Sequence, residues 1–184
     1  MVPWTAMRNI KYVFVIFIVF YFPNAMAQPT AFDIEPIVVG DLNNDKITDT
    51  AFVKGPKFLN ESDGWGDCTK GDCKITVSFS CDMPNISLPN AVSGSVENIG
   101  DIDDDGIAEI IIVPSWFVGC WGEIHFFTFK NKRWKEIGKA RTNICREESY
   151  RNRIKKTGRK QIKVTEELLV DGEMVEKTKI ISVR

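Results

Sequence analysis

Two segments of this 184-residue chain carry oxygen-bearing side chains at the spacing that a hard cation requires. Residues 40 to 49 read Gly-Asp-Leu-Asn-Asn-Asp-Lys-Ile-Thr-Asp, and residues 100 to 109 read Gly-Asp-Ile-Asp-Asp-Asp-Gly-Ile-Ala-Glu. In the first, Asp41, Asn43 and Asp45 stand at alternate positions, followed by the Ile47 carbonyl and the Asp49 carboxylate. In the second, the same places are held by Asp101, Asp103, Asp105, the Ile107 carbonyl and Glu109. Calcium takes six to eight oxygens in a flexible geometry, so the expected ligand is Ca2+.

An EF-hand shares the first half of this pattern but also needs a bidentate Glu at its twelfth position and helices on either side. The twelfth residues here are Phe52 and Ile112, and both loops run into apolar, strand-like segments, which excludes it. The two loops are unequal. Position six is Gly106 in the second loop and Lys46 in the first, where a left-handed turn costs a non-glycine residue about 1 kcal/mol. The second loop also has four ligand carboxylates against three carboxylates and an amide. Tighter binding is therefore expected at Asp101–Glu109, with Asp41–Asp49 weak or vestigial.

The pattern Gly-Asp-x-Asp/Asn-x-Asp-x-Ile-x-Asp/Glu, followed by an apolar strand, resembles the calcium loops of integrin-type FG-GAP and VCBS repeats. Residues 40 to 53 and 100 to 113 carry the resemblance, about one repeat of that family apart. It implies β-hairpin calcium loops in a propeller-like fold, with the metal role confined to the positions named above. Small exported proteins that resemble single domains of this kind include periplasmic inhibitors and immunity proteins directed at cell-wall hydrolases.

The elements that would hold these loops are strands. β-branched and aromatic runs recur at 34–39, 51–54, 74–80, 93–99, 107–113, 123–130, 134–137, 161–170 and 174–183, separated by Gly, Pro, Asn and Asp. Asp171-Gly172 between the last two suits a type I′ hairpin turn. The expected fold is all-β, a small propeller-like or reduced-propeller arrangement of antiparallel hairpins, with a two-sheet β sandwich as the alternative. Arg8 and Lys11, the apolar run 12–22 and Ala25-Met26-Ala27 read as a secretory signal peptide over residues 1–27. Residues 28–184 then form a single domain in a periplasmic or secreted setting, with no membrane span once the leader is removed. Disulfides persist there. Five cysteines allow several pairings; the preferred set is Cys68–Cys73 and Cys120–Cys145, leaving Cys81 free and buried.

Charge is segregated. Residues 28–125 hold 17 acidic and 5 basic side chains, and residues 126–184 hold 8 acidic and 17 basic. The basic stretch 151–163 lacks interleaved aromatics, and export takes the chain away from nucleic acid, so it is read as a solvated β face or a patch answering the acidic half. Catalytic motifs are missing: there is no Gly-x-Ser-x-Gly elbow, no HExxH and no phosphate loop, and His125 is the sole histidine. Carboxylates engaged as metal ligands suit proton transfer poorly. The expectation is a non-enzymatic binding protein whose partner is another protein, such as a basic cell-wall hydrolase or toxin, because electrostatic complementarity steers docking. The alternative is an adhesion or carbohydrate-binding module. Trp65, Trp116, Phe117 and Trp121, on Gly-rich loops, are the candidate contact residues.

Overall fold

In the computed structural model the described residues are 36–60, 64–116, 119–145 and 148–183; the side chains of 58–60 and 64–67 are outside that description. The expected leader, residues 1–27, and Phe117 fall outside it too. The chain forms β1 (Ile37–Gly40), β2 (Asp49–Lys54), β3 (Phe58–Asn60), β4 (Gly64–Trp65), one helical turn α1 (Gly66–Thr69), β5 (Lys74–Phe79), β6 (Ile86–Pro89) and β7 (Ser93–Gly100). It continues with β8 (Glu109–Ser115), β9 (Trp121–Lys130), β10 (Arg133–Asn143), a 3-10 turn (Tyr150–Arg153), β11 (Ile154–Gly158), β12 (Gln161–Val170) and β13 (Glu173–Ser182).

The fold is all-β. Three open antiparallel sheets run β1-β2-β5-β6, β7-β8-β9-β10 and β11-β12-β13, and β3-β4 is a separate ribbon inserted in the first. Two hydrophobic cores show how the sheets lie. Val39, Ala51, Val53, Ile75, Val77 and Ile86 of the first sheet pack on Val96, Ile110, Ile112 and Phe127 of the second. On the opposite face, Ile99, Ile111, Val113, Ile124, Phe126 and Ala140 pack on Ile162, Val164 and Ile181 of the third. The second sheet is thus the middle layer of three. The uninterrupted run Ile110-Ile111-Ile112-Val113 follows from this, since successive strand residues face opposite sides and here both sides are dry.

Most expected strands form. The segment 134–137 is the first part of the longer β10, while β6, β11 and the β3-β4 ribbon lay in stretches read as loop or basic linker. Asp171 and Gly172 both adopt positive φ, as a type I′ turn requires. Both expected bridges, Cys68–Cys73 and Cys120–Cys145, are present, the second tying the start of β9 to the end of β10. Cys81 is free, as expected, but half-buried.

The duplicated loop as a candidate metal centre

The first and second sheets open with the same unit of strand, aspartate loop and strand. Gly40 pairs with Asp49, and Gly100 with Glu109, each beside an irregularity in strand register. Each loop is wired alike. Asp41 Oδ1 and Oδ2 accept from the N–H groups of Asp45 and Lys46 at 3.2 and 2.8 Å. Asp101 does the same for Asp105 and Gly106 at 3.1 and 2.8 Å. Asp45 Oδ1 and Asp105 Oδ1 accept from the N–H groups of Ile47 and Ile107, the residues whose carbonyls are the seventh-position candidates. The last carboxylate reaches back across the turn, Asp49 to the Leu42 N–H at 2.9 Å and Glu109 to the Ile102 N–H at 2.6 Å. Its second oxygen accepts from a hydroxyl on a neighbouring strand or its end, Ser80 for Asp49 and Thr128 for Glu109.

Backbone dihedrals repeat as well. Asn44 and Asp104 have φ of 60° and 62°, and Lys46 has φ of 70° where Gly106 has 89°. Lys46 therefore sits in the left-handed region that favours glycine. The second residue of each loop is an apolar plug: Leu42 enters the core between the first and second sheets, and Ile102 the core between the second and third. The Leu42 carbonyl also accepts from the Ala108 N–H at 3.0 Å, joining the two loops directly.

The loops differ in what surrounds their charge. In the second, oxygens of Asp101, Asp103 and Glu109 all lie within 4.8 Å of one another. Asp105, expected in that set, turns instead to Lys130. Asp103 is only 4% exposed and neither of its carboxylate oxygens receives a hydrogen bond. Lys130, at the end of β9, brings its Nζ within 2.6 Å of Asp103 Oδ2 as an ion pair without hydrogen-bond alignment, and it also contacts Asp105 Oδ2. Burial opposes the charge on Lys130, but the two carboxylates outweigh it and push its pKa up to about 12. For Asp105 burial likewise works upward, and the Lys130 and Ile107 N–H contacts win, holding it below the ordinary carboxylate range. Burial pushes Glu109 up. Lys156 of β11 hydrogen-bonds Asp104 at 2.8 Å and the Asp101 carbonyl at 3.1 Å, so the basic stretch does answer this loop.

An all-oxygen set around a buried carboxylate met only by the Lys130 ammonium fits a hard divalent cation, which would be held by Asp101, Asp103 and Glu109 in competition with Lys130. The first loop gathers no comparable trio of carboxylates, and no Lys or Arg forms an ion pair with Asp41, Asp45 or Asp49 among the described residues. Asn43 donates to Asp45 Oδ2 instead. Lys130, Lys156, Thr128 and Ser80 carried no signal in the sequence, because each arrives from a strand or turn remote in the chain.

Of the aromatic candidates, Trp116 and Trp121 are exposed and line one groove, Trp121 next to the Cys120–Cys145 bridge. Trp65 pairs with Phe58 through its backbone in the β3-β4 ribbon. No helix among the described residues is long and apolar enough to cross a membrane. Comparison of the chain with protein-family models, with curated proteins and with solved structures returned no match.

Proposed function

We propose that this chain is an exported, calcium-stabilised protein-binding domain, a periplasmic inhibitor or immunity protein whose partner is a basic protein such as a cell-wall hydrolase. The observation that carries the reading is the asymmetry between the two loops. In the second loop Lys130 and Lys156 form ion pairs with Asp103, Asp104 and Asp105. The first keeps Asp41 and Asp45 without a basic partner among the described residues. Beside it stand Val38 and Ile47, 71% and 65% exposed, and Phe52. Val38 pairs with Thr50, and Phe52 follows Thr50 by two residues, so both side chains lie on the solvent face of the first sheet. Apolar side chains beside un-neutralised carboxylates suit a basic protein surface, where charge steers encounter and apolar burial holds the complex.

The fold supports the reduced-propeller reading in one respect: two consecutive four-stranded meanders each begin with the loop unit and stack face to face. A calcium ion in the Asp101–Glu109 loop would fasten the middle sheet, and the two disulfides suit an oxidising compartment. Co-purification from the native host, with and without chelator, tests the reading. A basic protein is expected to be recovered from wild type and lost on Val38→Asp with Ile47→Lys. Recovery that ignores these changes would overturn it.

A further inference from the structure

A second face of the molecule holds a different constellation. Past Ile112, which pairs with His125, β9 and β10 run on beyond the end of the first core. A groove of about 460 Å³ opens there, inside the range of roughly 300–1,000 Å³ usual for small-ligand sites. Trp116 and Trp121 line it, 45% and 36% exposed, with Trp121 directly following Cys120 of the Cys120–Cys145 bridge. Its polar wall is Glu123, His125, Glu136 and Lys139.

These four groups form one network. His125 is 8% exposed, with its Nδ1 3.4 Å from Glu136 Oε1 and its Nε2 4.0 Å from Glu123 Oε2. The buried Nδ1 has no hydrogen-bond partner. Lys139, opposite His125 in the β9–β10 register, places its Nζ 3.5 Å from Glu123 and 3.8 Å from Glu136. The ring of His125 stacks on Phe127, which anchors the network to the core. Two carboxylates are thus held apart by an imidazole and an ammonium, next to two exposed indoles.

That arrangement selects a ligand class. Carboxylates only accept hydrogen bonds and an ammonium only donates, so the ligand must do both over a short distance, as a hydroxyl does. A basic side chain from a partner would have to displace Lys139 from both glutamates. A phosphate or sulfate would meet them directly. Indoles take flat apolar surface while tolerating a polar rim, which a pyranose ring offers through its C–H face. We propose that this groove is a saccharide-binding site, in which Trp116 and Trp121 receive the C–H faces of a neutral sugar and Glu123, Glu136 and Lys139 bind its hydroxyls. It shares no residue with the protein-docking face argued above, and its role would be to hold the domain on a polysaccharide of the envelope.

The test is a glycan array of neutral, amino and acidic saccharides, followed by calorimetry on the best neutral oligosaccharide. Binding tighter than about 1 mM is expected, weakened about tenfold by Trp121→Ala and by Glu136→Gln and largely restored by Trp121→Phe. Melting curves establish that each variant folds. Val38→Asp with Ile47→Lys should leave sugar binding unchanged, which separates this site from the protein-docking face. No neutral sugar on the array, binding indifferent to both groove variants, or a lysine-rich peptide titrating the same residues would each overturn the proposal.

Discussion

Replacing Lys130 by Met keeps most of its aliphatic stem and removes the ammonium that, among the described residues, faces Asp103. In chelator, Asp103 then becomes a buried carboxylate with neither hydrogen-bond donor nor counter-charge. Breaking a fully buried ion pair from one side costs about 3–5 kcal/mol. Here the Lys130 side chain is 28% exposed and Asp105 remains open to water, so about 2 kcal/mol is the appropriate figure. For a domain of this size that corresponds to a fall in Tm of roughly 4–8 °C. Calcium should reverse the loss. At about 100 times its Kd a bound ion adds about 2.7 kcal/mol, and in the variant no ammonium competes for Asp103. The calcium-induced rise in Tm is therefore expected to be larger in Lys130→Met than in wild type. In an Asp103→Asn background the same lysine change should matter little. Paired melting curves in chelator and in excess calcium decide the matter. If Lys130→Met melts like wild type in chelator, or gains no more than wild type from calcium, the second loop is not a cation site shared between lysine and metal.

Three further outcomes are expected. Lys46→Gly should raise stability by roughly 0.5–1 kcal/mol in urea denaturation, because glycine relieves the left-handed backbone while returning part of the gain as unfolded-state entropy; a loss of stability would contradict the strain argued there. Arg153→Ala should cost about 3 kcal/mol, since Glu167 is fully buried and would lose its ion pair with Arg153 while keeping its hydrogen bonds from Thr142 and the Asn143 N–H; a cost below about 1 kcal/mol would show that this pair matters little to stability. His125, as the sole histidine, gives an unambiguous NMR titration, and burial, seconded by Lys139, holds its pKa below the ordinary histidine value against the pull of Glu136 and Glu123. The unfolded chain then takes up the proton first, so this residue's contribution is complete above about pH 6.5 and is lost as pH falls from there toward the folded-state pKa; a midpoint above the ordinary value would reverse the sign.

The loops were legible because their chemistry is local. Position, charge and the glycine at 106 are all fixed within ten residues, and the shared wiring of Asp41 with Asp101 and Asp49 with Glu109 follows from that short code. Strand content was legible from β-branched runs, and the Asp171-Gly172 turn from the conformation it demands. The layering was not, although the run from Ile110 to Val113 held a trace of it. An antiparallel strand with one wet face alternates, and this one does not. Lys130 and Lys156 were invisible as partners of the second loop, since nothing in the order of residues states which turn folds over which loop. His125 stood in the sequence only as the sole histidine; Glu136 and Lys139, brought alongside by β10, made it the spacer of a network.

The middle position of the second sheet has a mechanical consequence. The first and third sheets each pack on it and share neither core with one another. Damage to one outer layer therefore leaves the other core intact, whereas a lesion in β8 strikes both at once. Stability in such a stack is a sum of neighbouring interfaces, as in a linear array, with β8 as the common term. Amide exchange would show a gradient in place of one cooperative block, with the Ile111 N–H the last to open and the third sheet free to loosen early. Because Ile102 and Lys156 tie the Asp101–Glu109 loop to the third sheet, loosening of that layer would be felt at this loop, while the Asp41–Asp49 loop, plugged through Leu42 into the other core, would hold its shape.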